Sequence, residues 1–216
     1  MVKLLLYFSV SILFFFSGCS NVDNVPADVK KARNEFKEII EEFDDQKNEV
    51  AEEFQEGKQV LLTFKEAIKK AKDKDAEFAK VHNKWERIED TVKKLHNKFK
   101  LLVQTADNFY AVLEEKANTI QDQDLRAKTL TDLNASKQRY IERLKKTKIK
   151  INELDVINRK VRDTITALEI SYSLDVLEKE LNKTFEEIDK MISSVMEELD
   201  KLSKESKALL SQRYGG

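Results

Sequence analysis

Between residues 78 and 113 the chain repeats one spacing without a break. Phe78, Val81, Trp85, Ile88, Val92, Leu95, Phe99, Leu102, Ala106, Phe109 and Leu113 follow one another at alternating intervals of three and four. That average of 3.5 residues is the repeat of a helix that keeps one stripe against a partner helix and supercoils left-handedly around it. A strand would need a period of two, so this stretch excludes a sheet.

Three flanking segments share the pattern. Val29, Phe36, Phe43, Val50, Phe64 and Ala71 lie on one seven-residue lattice, joined by Ile39, Ile40, Phe54, Leu61 and Ile68, with Gly57 at the vacant point. A mid-helix glycine costs about 1 kcal/mol against alanine, so Gly57 marks either a close helix contact or a weak spot. The aromatic residues on both sides of it favour the contact. Leu130, Leu133, Tyr140, Leu144, Ile151, Leu154, Val161, Ile165 and Leu168 form a third seam, with Lys137, Thr147 and Asn158 on seam positions. Asn158 reads either as a buried polar residue that fixes register or as an edge residue open to water. The fourth seam, Leu174, Leu181, Ile188, Val195, Leu202 and Leu209, keeps strict sevens, with Ser173 as its expected N-cap after Tyr172.

Composition agrees. With 4 Gly and 1 Pro among 216 residues, the chain lacks the turn residues that a β-sandwich or a doubly wound sheet requires. The 41% hydrophobic fraction is too high for a disordered chain. Asp73-Lys74-Asp75 and Gln121-Asp122-Gln123-Asp124 are the expected turns. The expectation is an all-α fold: an elongated up-and-down antiparallel bundle of about four long helices over residues 28–212, with 213–216 fraying. Residues 35 to 56 carry ten acids against two bases, and 137 to 150 carry seven bases against one acid. An up-and-down path puts these bands at similar heights, where they read either as an attracting pair or as separate solvated faces.

Ahead of the bundle, residues 1–18 have the three-part plan of a secretory signal: Lys3, an uncharged run from Leu4 to Phe16, then Ser17 and Gly18. As a helix that run rises only about 20 Å, short of the roughly 30 Å of a bilayer core, so cleavage is expected over a stable span. The tail Phe16-Ser17-Gly18-Cys19 resembles the lipobox of bacterial lipoproteins, with Phe16 where Leu is preferred. The resemblance implies diacylglycerol on Cys19, cleavage before it and usually N-acylation. Cys19 is the sole cysteine, so no intramolecular disulfide can use it. Two or three acyl chains, at about 0.8 kcal/mol per buried CH₂, hold a protein on a membrane where one does not. Residues 19–27 then form the lipidated cysteine and a short tether. By resemblance to proteobacterial sorting, Ser20 points to the outer membrane, facing the periplasm of a Gram-negative envelope.

A catalytic reading finds little material. His82 and His96 stand fourteen residues apart beside the seam, with no second ligand at i+3 or i+4, and read as surface histidines rather than metal ligands. The two Asp-x-Asp turns lack the glycine and terminal glutamate of a calcium loop. Trp85 sits on a core position and reads as packing. The basic run Arg143 to Lys150 reads as a solvated or acid-paired face, or as a patch for lipid head groups or an acidic envelope polymer. With a net charge of -1 there is no global basic field for nucleic acid. No enzyme activity, cofactor or metal is expected.

Phe109-Tyr110-Ala111-Val112-Leu113-Glu114-Glu115 leading to Gln123-Asp124-Leu125-Arg126, then Gln138-Arg139-Tyr140, Val161-Arg162-Asp163 and Leu177-Glu178-Lys179-Glu180-Leu181, resemble an uncharacterised family of bacterial coiled-coil envelope lipoproteins. The resemblance covers roughly residues 75 to 210 and implies a helical bundle, an exported location and no known activity. The expected function is a membrane-anchored spacer or protein-interaction scaffold, with a protein partner in the envelope. The alternative is a ligand-binding or host-facing surface lipoprotein. Self-association is open, because long apolar seams close either within one chain or between chains.

Overall fold

The computed structural model describes residues 25–70, 74–171 and 174–211. Four helices account for nearly all of them: α1 (Ala27–Lys70), α2 (Lys74–Asn118), α3 (Gln123–Ser171) and α4 (Leu174–Ser211). Among the described residues there is no strand. At 1.5 Å per residue the helices run roughly 57 to 74 Å. Residues 1–18, read from sequence as a signal, Cys19, Ala71, Asp73, Tyr172, Ser173 and residues 213–216 lie outside the described residues.

Local chemistry fixes the ends. The Pro26 carbonyl accepts the Lys30 N–H at 2.9 Å, and Asp28 sits in the first turn, where a carboxylate complements the helix dipole. Asp122 caps α3, its Oδ1 accepting the Leu125 N–H at 2.9 Å. The second expected turn is thus real but lies two residues earlier, at Thr119 to Asp122, with Gln123 and Asp124 already helical.

Each helix packs on its chain neighbours, and α1 also packs on α4, which closes a square with α1 and α3 on one diagonal. Contacts that run in opposite sequence directions show every neighbouring pair to be antiparallel. Phe64 meets Phe78 and Phe36 meets Phe109 across α1 and α2, while Lys47 meets Asp200 and Lys58 meets Asp189 across α1 and α4. The fold is the up-and-down bundle that the seams imply.

The core is one continuous column. It runs from Phe36, Phe109 and Tyr140 at the end holding the α2–α3 turn to Phe64, Phe78 and Ile165 at the other. Side chains such as Phe36, Phe43, Ile88, Leu95, Leu102, Ile151 and Leu154 are essentially inaccessible. Leu199 and Ser206 of α4 also face the core, half a heptad away from the strict sevens.

Gly57 belongs to a close contact. A Cβ there would fall 2.9 Å from Cζ3 of Trp85 and closer still to Cδ1 of Ile88, both buried side chains. Glycine lets α2 press its largest side chain against the α1 backbone.

Of the two readings left open for the charge bands, the attracting pair is not found among the described residues. Phe36 and Tyr140 touch edge to face at 6.0 Å, so the acidic band of α1 and the basic band of α3 do share a height. They nevertheless do not pair, because they occupy the diagonal. The described partners of the α1 acids come from α1 itself, as in Glu41 with Lys37, and from α2 and α4: Glu42 with Lys98, Glu53 with Lys84, and Asp44 with Lys207.

Candidate functional site

Cys19, the one residue assigned a chemical role from sequence, lies outside the described residues. Within them, chemistry-bearing side chains collect in four places.

The first is the turn end of the core, where rings and hydroxyls interlock. Phe36 stacks on Phe109 at 5.3 Å, and Tyr110 and Tyr140 close the cluster at 6.3 Å. Tyr110 Oη pairs with Ser136 Oγ at 3.0 Å. Ser206 spends its only proton on the Leu202 carbonyl at 2.8 Å, so Tyr140 must donate to Ser206 Oγ at 2.6 Å. Burial pushes the Tyr140 phenol well above its ordinary range. It is a donor fixed in place, not an acid.

The second is the α1–α4 seam. Asp44 accepts from Ser203 at 2.8 Å and from Lys207, with Lys47 3.2 Å away. Burial pushes its carboxyl up, but these three partners outweigh burial and hold it below the usual carboxylate range. Lys47 in turn bridges to Asp200 at 2.6 Å; burial pulls its ammonium down, and the two carboxylates still hold it above the ordinary lysine value.

The third is the α2–α3 face. His82 Nε2 lies 2.7 Å from Glu169 and His96 Nε2 lies 3.1 Å from Asp155, both half-exposed. The histidines are surface residues, each tied across the same helix pair. Among the described residues no group of three or more His, Cys, Asp or Glu side chains is placed to hold a metal ion.

The fourth is a groove of about 570 Å³ between α3 and α4, lined by Arg139, Tyr140, Arg143, Lys146, Glu205 and Leu209 among others. Arg143 is committed there, to Glu198 at 2.9 Å and Glu205 at 2.6 Å, and these hydrogen bonds raise its guanidinium further. Thr147 is buried, and Lys145 and Lys150 bind Glu142 and Glu153 on their own helix. Lys146, Lys148 and Ile149 are exposed. The basic run is therefore partly acid-paired and partly open to solvent.

Sequence reasoning missed Lys84. It precedes the seam residue Trp85, yet it is buried between Glu53 at 2.6 Å and Glu56 at 2.5 Å. The acid-rich run at Glu52, Glu53 and Glu56 was the available signal. Trp85 is core, as its position implies, and Asn158 is buried with Oδ1 left without a hydrogen-bond partner among the described residues. No described helix is long and apolar enough to cross a membrane.

No family model matches the chain, and no curated protein or solved structure shows significant similarity to it.

Proposed function

We propose that this chain is a membrane-anchored lipoprotein, held by lipid on Cys19, whose helical bundle acts as a non-enzymatic spacer or as a scaffold for a protein partner in the envelope. The observation that carries the reading is the position of the bundle relative to the cysteine. Helix α1 begins at Ala27, directly after the short segment that follows Cys19, and its core runs unbroken to the far end of the helices. An anchor there would sit beside the α2–α3 turn, and the bundle would extend roughly 60 Å from it. The resemblance of residues 16–19 to a lipobox, and of 75–210 to coiled-coil envelope lipoproteins, supports the same reading.

The α3–α4 groove favours a second reading, a surface lipoprotein that takes a ligand, since it combines a concave shape with Arg139 and Lys146 on its rim. Palmitate labelling of cells expressing wild type beside Cys19→Ala tests the anchor that both readings share. Label in the wild type and none in the variant is the expected result. Equal label in both, or none in either, contradicts it.

A further inference from the structure

Two stripes on opposite corners of the bundle match each other better than they match anything inside it. On α1, Glu38, Asp45 and Glu52 stand at intervals of seven, all exposed, and none makes an ion pair among the described residues. Relative to the buried Phe43 they point about 140° to 180° away, at 100° per residue. On α3 the outward stripe is Glu142, Ile149 and Val156, the last two exposed at 63% and 44%. Around it stand Arg139, Lys146, Lys148 and Arg159, exposed and without an ion pair among the described residues, while Glu142 is already neutralised by Lys145 at 2.9 Å.

Because α1 and α3 are diagonal and run the same way, the stripes face opposite directions. The Phe36–Tyr140 contact sets them level to within about one helical turn. A plain sideways translation of one molecule therefore brings the acidic stripe of one copy against the basic, apolar-centred stripe of the next.

We infer that the occupant of the α3 stripe is the α1 stripe of a second copy of this chain. The contact is heterologous, so it propagates side by side and leaves every copy the same way up. Two helix faces bury less than a standard interface, so association is weak in free solution. Confinement on a surface raises the effective concentration and strengthens it. The inference rests on the charge pattern and the packing, not on the lipid anchor.

The test uses the full chain in non-ionic detergent with Cys19→Ser, which removes the native thiol. Copies carrying Asp45→Cys are mixed with copies carrying Ile149→Cys and treated with a short bismaleimide. Each copy then carries a single cysteine, so only contact between copies links them. The expected result at low salt is linkage of the unlike pair well above linkage of like pairs, fading as salt shortens the screening length from about 30 Å to about 3 Å. Glu38→Lys with Glu52→Lys on the first copy should cut linkage on the order of tenfold, and Lys146→Glu with Lys148→Glu on the second should restore it. These side chains are exposed, so circular dichroism should show all variants equally helical. Equal linkage of like and unlike pairs, or indifference to the reversals, overturns the inference. So does absence of linkage, including the case in which the same lysines bind phosphatidylglycerol vesicles, which assigns the band to lipid instead.

Discussion

The turn end and the middle of the bundle treat buried neutral polar groups in opposite ways. At the turn end the two tyrosine hydroxyls reach Ser136 and Ser206, and Ser206 reaches the Leu202 carbonyl. In the middle, the buried Trp85 Nε1 and Asn158 Oδ1 have no hydrogen-bond partner among the described residues, and Trp85 presses on Gly57 in a contact that admits no extra methyl group. An unpaired buried polar atom costs roughly 1 to 3 kcal/mol, whereas a satisfied one contributes modestly. By its neutral polar groups and interlocked rings the turn end, next to the proposed anchor, is therefore the tighter half, even though two atoms of its charged groups, Asp44 Oδ1 and Arg143 Nε, have no hydrogen-bond partner among the described residues.

Four substitutions break or sharpen that contrast, each read by chemical denaturation. Phe36→Ala removes a fully buried ring that touches both Phe109 and Tyr140, and should cost about 3 to 5 kcal/mol. A loss below about 1 kcal/mol would show that the turn end is not the tight half.

Asp44→Asn weakens the bonds to Ser203 and Lys207 and should cost about 1 to 2 kcal/mol at neutral pH. The sign with pH follows from a folded-state carboxyl held below its ordinary 3.8. Its contribution is complete above the unfolded value and is lost as pH falls through the folded one. Wild type and Asp44→Asn should therefore converge in stability below about pH 4, and parallel curves down to pH 2 would refute the linkage.

Gly57→Ala gains about 1 kcal/mol of helix propensity but presses a methyl into Trp85 and Ile88, where overpacking costs about 1 to 3 kcal/mol. A net loss near 1 kcal/mol is expected, and net stabilisation would mean that the helices separate freely there. Asn158→Leu should do the reverse and stabilise the bundle by about 0.5 to 1 kcal/mol, because the carbonyl it removes has no partner. Destabilisation would point to a role for Asn158 in register.

The contrast also shows what the sequence could and could not reveal. Spacing alone exposed the helices, since a heptad seam such as Phe78 to Leu113 has one physical solution, and the near-equal lengths with short turns left antiparallel neighbours as the natural path. Gly57 was legible because aromatic residues bracket a gap in the lattice. What spacing cannot carry is which helices are neighbours and which are diagonal. For that reason the sequence left bands 35–56 and 137–150 open as an attracting pair or as separate faces, while the structure turns them to opposite sides. Lys84 and Ser206 were missed for a related reason: their burial depends on what a neighbouring helix presents, Glu53 and Glu56 in one case and Tyr140 in the other, and only the acid-rich run left a trace in the sequence. Cys19 is the opposite case, legible from a local motif and lying outside the described residues.

The central claim is that a lipid on Cys19 holds this rod to a membrane, and the intact mass of the protein extracted from membranes tests it most directly. The account predicts a chain that begins at Cys19 and carries the added mass of two or three acyl chains, with that addition missing from Cys19→Ala. A wild-type chain of unmodified mass, whether full length or cleaved, would contradict it.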